Sequence, residues 1–152
     1  DLELFEFLSQ NGYALGTDFI VGHPGETQEL WSEAMKNLHN FPLTHIHAFT
    51  YSKRDGTPSA SMKDIVKGDV AKDRYIELIE IIKQKNYEFR QNIKKNKVKL
   101  EVLVEQEKNG KYLGFDQFFN QVEISSNEDL VSDWLNLEDY KVEFNKNEAR
   151  FK

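Results

Sequence analysis

One segment restricts the fold of this chain more than any other. Thr17-Asp18-Phe19-Ile20-Val21 is a short apolar run held between Gly16 and Gly22. It leads into the tight turn His23-Pro24-Gly25-Glu26, an amphipathic stretch over 28–40, and a second strand-like run, His45-Ile46-His47-Ala48-Phe49-Thr50-Tyr51. Strand, turn, helix and strand in this order make a βαβ unit, whose strands lie parallel and whose crossover is right-handed. A run without alternation, such as 17–21, reads as a strand buried on both faces. Thr27 stands where an N-cap is needed. Leu30, Ala34 and Leu38, with Trp31 and Met35 on adjoining rows, form the apolar side of the helix.

The rest of the chain divides around this unit. Residues 1–11 read as the end of a helix with Leu4, Phe5 and Leu8 on one face and Asn11-Gly12 as its stop. Residues 52–68 read as loop. Asp69 opens a long helix over about 70–94, with Tyr75, Ile79, Ile82, Phe89 and Ile93 on one stripe. The texture then changes to period two: Val98, Leu100, Val102 and Val104 alternate with polar or outward positions, Asn109-Gly110 is a hairpin turn, Tyr112 to Ile124 makes one or two strands around Gly114, and Tyr140, Val142 and Phe144 alternate again before a last strand ending at Phe151. Four or five short strands predict a small antiparallel β-barrel. The expected division is an α/β part over 1–68, a connecting helix over 69–96 and the barrel over 97–152.

Charge and composition limit the chemistry. The 152 residues contain no cysteine, which excludes disulfides, a Cys nucleophile and any thiolate-held metal or cluster within this chain. That composition suits a reducing compartment without identifying one; the expected location is the cytoplasm. No apolar run approaches the ~20 residues of a membrane-spanning helix. The net charge of −6 is uneven: −5 over 1–64, +3 over 65–96 and −4 over 97–152. Such a chain is a poor non-specific nucleic-acid binder, because that binding comes from neutralising phosphates.

Two stretches are candidates for function. The turn after 17–21 lies where parallel α/β folds bind ligands, at strand carboxyl ends and helix N-terminal amides; the other reading is a turn with Gly and Pro for geometry alone. The segment Phe49 to Pro58 leaves the next strand at the same edge, and its Lys53 and Arg54 suit a phosphate or carboxylate, or simply solvent. His23 lines the turn. His45 and His47 share one strand face without an evident third metal ligand, so no metal site is assigned. Phe115, Phe118 and Phe119 either stack bases or fill the barrel core.

Together these stretches resemble a known family. TDFIVGHPGET followed by HAFTYSKRDGTPSASM is similar to the TDxIVGFPGET and F-x-YS-x-R-x-GTPAA-x-M segments of radical S-adenosylmethionine methylthiotransferases. The resemblance runs from about residue 12 to 90, and LTHIHAFTYSKR resembles the branch acting on threonylcarbamoyladenosine in tRNA. It implies a partial radical-SAM α/β barrel, with 17–21 and 45–51 as the fifth and sixth parallel strands. It also implies [4Fe–4S] clusters held by cysteines of missing N-terminal domains, and a C-terminal RNA-binding β-barrel of TRAM type. VLVE at 102–105 and the run from Gly114 to Val122 follow the TRAM pattern, with Phe115 where Arg or Tyr is usual.

Residue by residue, the resemblance puts Val21, Gly22, Phe49 and Tyr51 beside the adenosyl group of S-adenosylmethionine, with Ile20 in support. It assigns Arg54 to RNA contact or to the pocket, and Phe115 and Phe118 to RNA. His23 replaces the family's Phe, and Asp55 stands where Pro is common. The implied activity is insertion of a methylthio group at carbon 2 of N6-threonylcarbamoyladenosine in tRNA, by a longer protein of which these residues are the inactive C-terminal part. The alternatives are a methylthiotransferase of ribosomal protein uS12 and a non-catalytic RNA-binding module. Expected partners are tRNA, the missing N-terminal domains, and a second copy pairing through the exposed edges of 17–21 or 45–51; no membrane is expected.

Overall fold

β1 (Gly16–Val21) and β2 (His45–Thr50) pair in parallel, Gly16 opposite His45 and Val21 opposite Thr50. The computed structural model describes residues 2–151, which divide into two compact units, one up to Lys85 and one from Asn86 onward. In the first unit α1 (Leu2–Gln10) precedes β1, and α2 (Gln28–Asn40) is the crossover to β2. Thr27 caps α2, its Oγ1 accepting from the Leu30 amide. A short 3-10 turn, Pro58–Ser61, interrupts the loop before α3 (Gly68–Lys95), which supplies residues to both units.

Alternation along the parallel pair decides what each strand face meets. Phe19, Val21, Ile46 and Ala48 pack with Trp31, Met35 and Leu38 of α2 and Leu78 and Ile82 of α3. The opposite face, with Asp18, Ile20, His47 and Phe49, is exposed. The expectation that 17–21 is buried on both faces is therefore corrected. Among the described residues the helices cover one face, and the run lacks alternation because Ile20 is apolar without being core.

The second unit holds a six-stranded sheet ordered β6-β3-β4-β5-β8-β7. β3 (Leu100–Lys108) and β4 (Lys111–Phe115) form a hairpin whose turn residues Asn109 and Gly110 both have positive φ, 55° and 77°, as a tight primed turn requires. β5 (Gln121–Ser125), β6 (Trp134–Leu137), β7 (Lys141–Val142) and β8 (Asn147–Arg150) complete it. The sheet curls. Flat, its six strands would span about 24 Å, yet β6 and β7 at its two ends are joined by residues 138–140, whose steps reach only about 14 Å. Leu100, Val102, Val104, Val122, Ile124, Leu135 and Leu137 fill the inside with Ile93, Leu130 and Tyr140. The expected antiparallel barrel is corrected in one respect. β8 runs parallel to β5, with Val122 opposite Asn147, because the chain crosses to the far edge as β6 and returns through the β7–β8 hairpin. The sheet is thus mixed and half-barrel-like.

Polar groups inside this unit are matched. Arg90 is buried, and its guanidinium donates to the carbonyls of Glu143 and Phe144 and to the side-chain oxygens of Asn86 and Asn147. On the sheet, the Glu123 carboxylate accepts from Lys111 and Lys146. Those hydrogen bonds, that of Lys111 first, hold its pKa below the usual carboxylate value. A folded pKa below the unfolded one gives a contribution that is complete above the unfolded value and disappears as pH falls through the folded one. Glu123→Gln should therefore be less stable than the parent at neutral pH, and the gap should close as pH falls below about 4, read by denaturant unfolding at a series of pH values.

Candidate ligand cleft

The turn after β1 is self-contained. Gly22 takes φ +79° and donates its amide to both oxygens of Glu26, each at 3.2 Å. The Gly25 amide goes to the Asp64 carbonyl at 2.7 Å, and the Glu26 amide to that of His23 at 3.0 Å. The Glu29 carboxylate turns back on its own amide and on Thr27, which lowers its pKa. Of the two readings of this turn, the geometric one fits its amides, which are already used within the chain by the Glu26, Thr27 and Glu29 side chains and by the Asp64 and His23 carbonyls.

A buried ion pair fastens the turn to α3. Arg74 reaches Glu26 Oε1 at 2.7 Å, with side chains only 7% and 14% exposed. It also donates to the Glu26 carbonyl at 3.0 Å and to Gln28 at 3.2 Å, and lies 5.5 Å over the Trp31 ring. Trp31 Nε1 donates to Glu77 at 2.8 Å. Nothing in the sequence marks Arg74 as a partner of Glu26, because 48 positions separate them.

On the exposed side of the sheet, at the carboxyl ends of both strands, lies a cleft of about 530 Å³. Ile20 and Phe49, directly opposite in register and each 53% exposed, form its apolar part. His23, Tyr51, Ser52, Arg54, Thr57 and Ser59 supply the polar part. The backbone of Tyr51 is fixed by its amide donating to the Val21 carbonyl at 2.8 Å. Its ring meets His23 edge-on, with centroids 5.3 Å apart. His23 Nδ1 is 2.9 Å from the Pro24 carbonyl, which can only accept, so Nδ1 carries the proton. The Tyr51 hydroxyl is buried and has no hydrogen-bond partner among the described residues. A buried hydroxyl left unsatisfied costs about 1–3 kcal/mol. Tyr51→Phe should therefore leave the fold as stable as before or more so, measured by thermal unfolding, while weakening any ligand whose polar group satisfies that hydroxyl.

The sequence-derived site residues do not all meet here. Phe49, Tyr51 and Arg54 line the cleft, and Ile20 joins them. The Val21 side chain is wholly buried in the core. Gly22 is packed so closely that an added Cβ would lie 2.9 Å from that of Ala71. In the other unit Phe118 packs edge-on against Phe89 beside the core, whereas Phe115 and Phe119 are exposed. His47 lies 3.8 Å from Asp18, and His45 contacts Thr44. Among the described residues no group of His, Asp and Glu is arranged to hold a metal ion, and no helix is long and apolar enough to cross a membrane.

No protein-family model matches the chain. Sequence comparison does find relatives. A Helicobacter pylori protein named only as a methylthiotransferase, with no substrate in its name, is 43% identical over 151 residues, 99% of this chain. The relatives of this chain are methylthiotransferases. The threonylcarbamoyladenosine tRNA methylthiotransferase of Bacillus subtilis is 29% identical over 143 residues, 92% of this chain. The ribosomal protein uS12 methylthiotransferase of Caldanaerobacter subterraneus is 40% identical over 103 residues, 68% of this chain. The chain spans 36%, 32% and 23% of the lengths of these three methylthiotransferases.

Proposed function

We propose that this chain is the C-terminal part of a radical S-adenosylmethionine methylthiotransferase, and that the modified residue is N6-threonylcarbamoyladenosine in tRNA. The observation that carries the reading is similarity to a methylthiotransferase over 99% of the chain. The substrate rests on the resemblance of LTHIHAFTYSKR to the threonylcarbamoyladenosine branch; a relative named for that substrate supports it, and the Caldanaerobacter subterraneus relative fits the uS12 alternative equally.

In this reading the cleft takes the adenosyl group of S-adenosylmethionine. Ile20 and Phe49 offer apolar surface to a flat base, and the Tyr51 hydroxyl awaits a polar partner. Bound there, the cofactor supplies the radical chemistry of the family. Val21 and Gly22 contribute through backbone position: the Val21 carbonyl holds Tyr51, and the Gly22 turn holds His23 against the Tyr51 ring. Arg54 stands at the rim for an anionic group of the RNA. The clusters do not fit here. The chain has no cysteine, so the remainder of a longer protein would hold them.

The exposed outer face of β1 and β2 is the side on which further strands of that protein would close the site. In their absence the strand edges pair with a second copy, which light scattering would register as a dimer. Two experiments on the longer protein test the function. Nucleoside mass spectrometry of tRNA from cells lacking the gene should show unmodified N6-threonylcarbamoyladenosine. Intact-mass analysis of ribosomal proteins from the same cells should show no change; a change in uS12 alone would overturn the tRNA reading.

A further inference from the structure

The cleft beside β1 and β2 discriminates between hydrogen-bond donors and acceptors through one side chain. Thr50, Tyr51, Ser52, Thr57 and Ser59, which line it, carry hydroxyls. A hydroxyl donates or accepts as its partner requires, so it does not separate an amine from a carbonyl oxygen. Two of them are already engaged: Thr57 Oγ1 donates to the Arg54 carbonyl at 2.8 Å and meets Ser59 Oγ at 3.1 Å. Arg54 only donates. Among the described residues no carboxylate lines the cleft.

His23 differs from all of these. Its Nδ1–H is committed to the Pro24 carbonyl at 2.9 Å. Nε2, on the other side of the ring, is therefore a lone pair that accepts and does not donate. The ring is held in place. Pro24 is buried, the ring meets Tyr51 edge-on with centroids 5.3 Å apart, and the preceding Gly22 donates its amide to both oxygens of Glu26. Beside it the Tyr51 hydroxyl is buried and without a partner among the described residues. A fixed acceptor and a hydroxyl thus adjoin the apolar pair Ile20 and Phe49.

The complement of this arrangement is a flat base whose exocyclic amine neighbours a ring nitrogen. Adenine presents that pair, an N6 amine that donates and an N7 that accepts. A 6-oxo purine presents acceptors at both places. We infer that His23 sets the base specificity of the cleft, its Nε2 accepting from the exocyclic amine of adenine while the Tyr51 hydroxyl donates to a ring nitrogen. The inference rests on the reading of the cleft as the adenosyl site. It adds a discrimination that phenylalanine, the residue of the resembled pattern at this position, has no lone pair to make. Against a 6-oxo group the Nε2 lone pair would face another acceptor, and a site built around a polar group rejects a ligand that leaves it unmatched.

Calorimetric titration of the longer protein with two unreactive probes, S-adenosylhomocysteine and its 6-oxo analogue S-inosylhomocysteine, tests this. The parent should bind the adenosyl probe about 10-fold more tightly than the inosyl probe. His23→Phe should bring the two affinities together, weakening the adenosyl probe and sparing the inosyl one. His23→Gln, whose amide both accepts and donates, should likewise bind the two about equally. A histidine that only shapes the turn would weaken both probes alike and leave their ratio unchanged. Equal binding of the probes by the parent, or a parental ratio kept by both His23 variants, would overturn the inference and leave the cleft as the adenosyl site. Binding of neither probe by the parent, or full binding by Phe49→Arg, would overturn the adenosyl reading and the inference with it.

Discussion

Replacing Arg74 with alanine should cost the N-terminal unit about 3–5 kcal/mol, because it leaves the Glu26 carboxylate buried without its partner. The loss extends beyond the pair. Glu26 accepts the Gly22 amide, Gly22 sets the turn at positive φ, and the turn brings His23 against Tyr51. The variant should therefore unfold at lower urea concentration and present a disordered cleft. Adding Glu26→Gln to Arg74→Ala should recover part of the loss, since a neutral amide is cheaper to bury than an unpaired carboxylate. Urea unfolding followed by Trp31 fluorescence in a Trp134→Phe background reads this unit alone. If Arg74→Ala loses under 1 kcal/mol, on the order of an exposed ion pair, the pair is not what holds the turn.

The second large effect lies in the other unit. Gly114 sits in β4 between Val104 and Val122. A Cβ added there would press into the Leu103 carbonyl oxygen, with the Leu103 carbonyl carbon at 2.9 Å and Val102 Cγ1 at 3.0 Å. The obstacle is strand backbone, which cannot rotate aside as a side chain can. Gly114→Ala should cost about 3 kcal/mol, the upper end of overpacking effects, and loosen the β3–β4 pairing. Gly68→Ala is the matched control, since an added Cβ at the start of α3 meets nothing within 4 Å. Hydrogen exchange of β3 and β4 amides would show protection falling in the first variant and retained in the second.

Elements with strong local signals are legible in the sequence itself. The two strands of the βαβ unit, the Thr27 cap and the Asn109-Gly110 hairpin each depend on a few neighbouring residues, and each is present. β6 escapes such a reading: Trp134-Leu135-Asn136-Leu137 is a short alternation whose Trp points outward, so it presents only two core residues. The parallel placement of β8 is hidden for another reason, since it follows from the path of the chain around the sheet and not from any residue of β8. In the cleft, topology marks the edge of the sheet and the segment after β2, and within it the family resemblance picks out Phe49, Tyr51 and Arg54. Arg74 does not, because its partner comes from a different element. Phe118 and Phe119 have the same side chain and adjoin in sequence. Only the backbone conformation imposed by Asp116 sends one into the core and the other into water.

On the proposed reading, the cleft formed by Ile20, Phe49 and Tyr51 is the cofactor side of a tRNA methylthiotransferase site. Its most direct test is nucleoside mass spectrometry of tRNA from cells lacking the gene and carrying back either the parent gene or its Phe49→Arg variant. Phe49 lies outside the core of this chain, and arginine there would fill the apolar part of the cleft. The parent should restore 2-methylthio-N6-threonylcarbamoyladenosine, and the variant, present at the same level, should not. Full restoration by Phe49→Arg, or tRNA modification unchanged by loss of the gene, would contradict that reading.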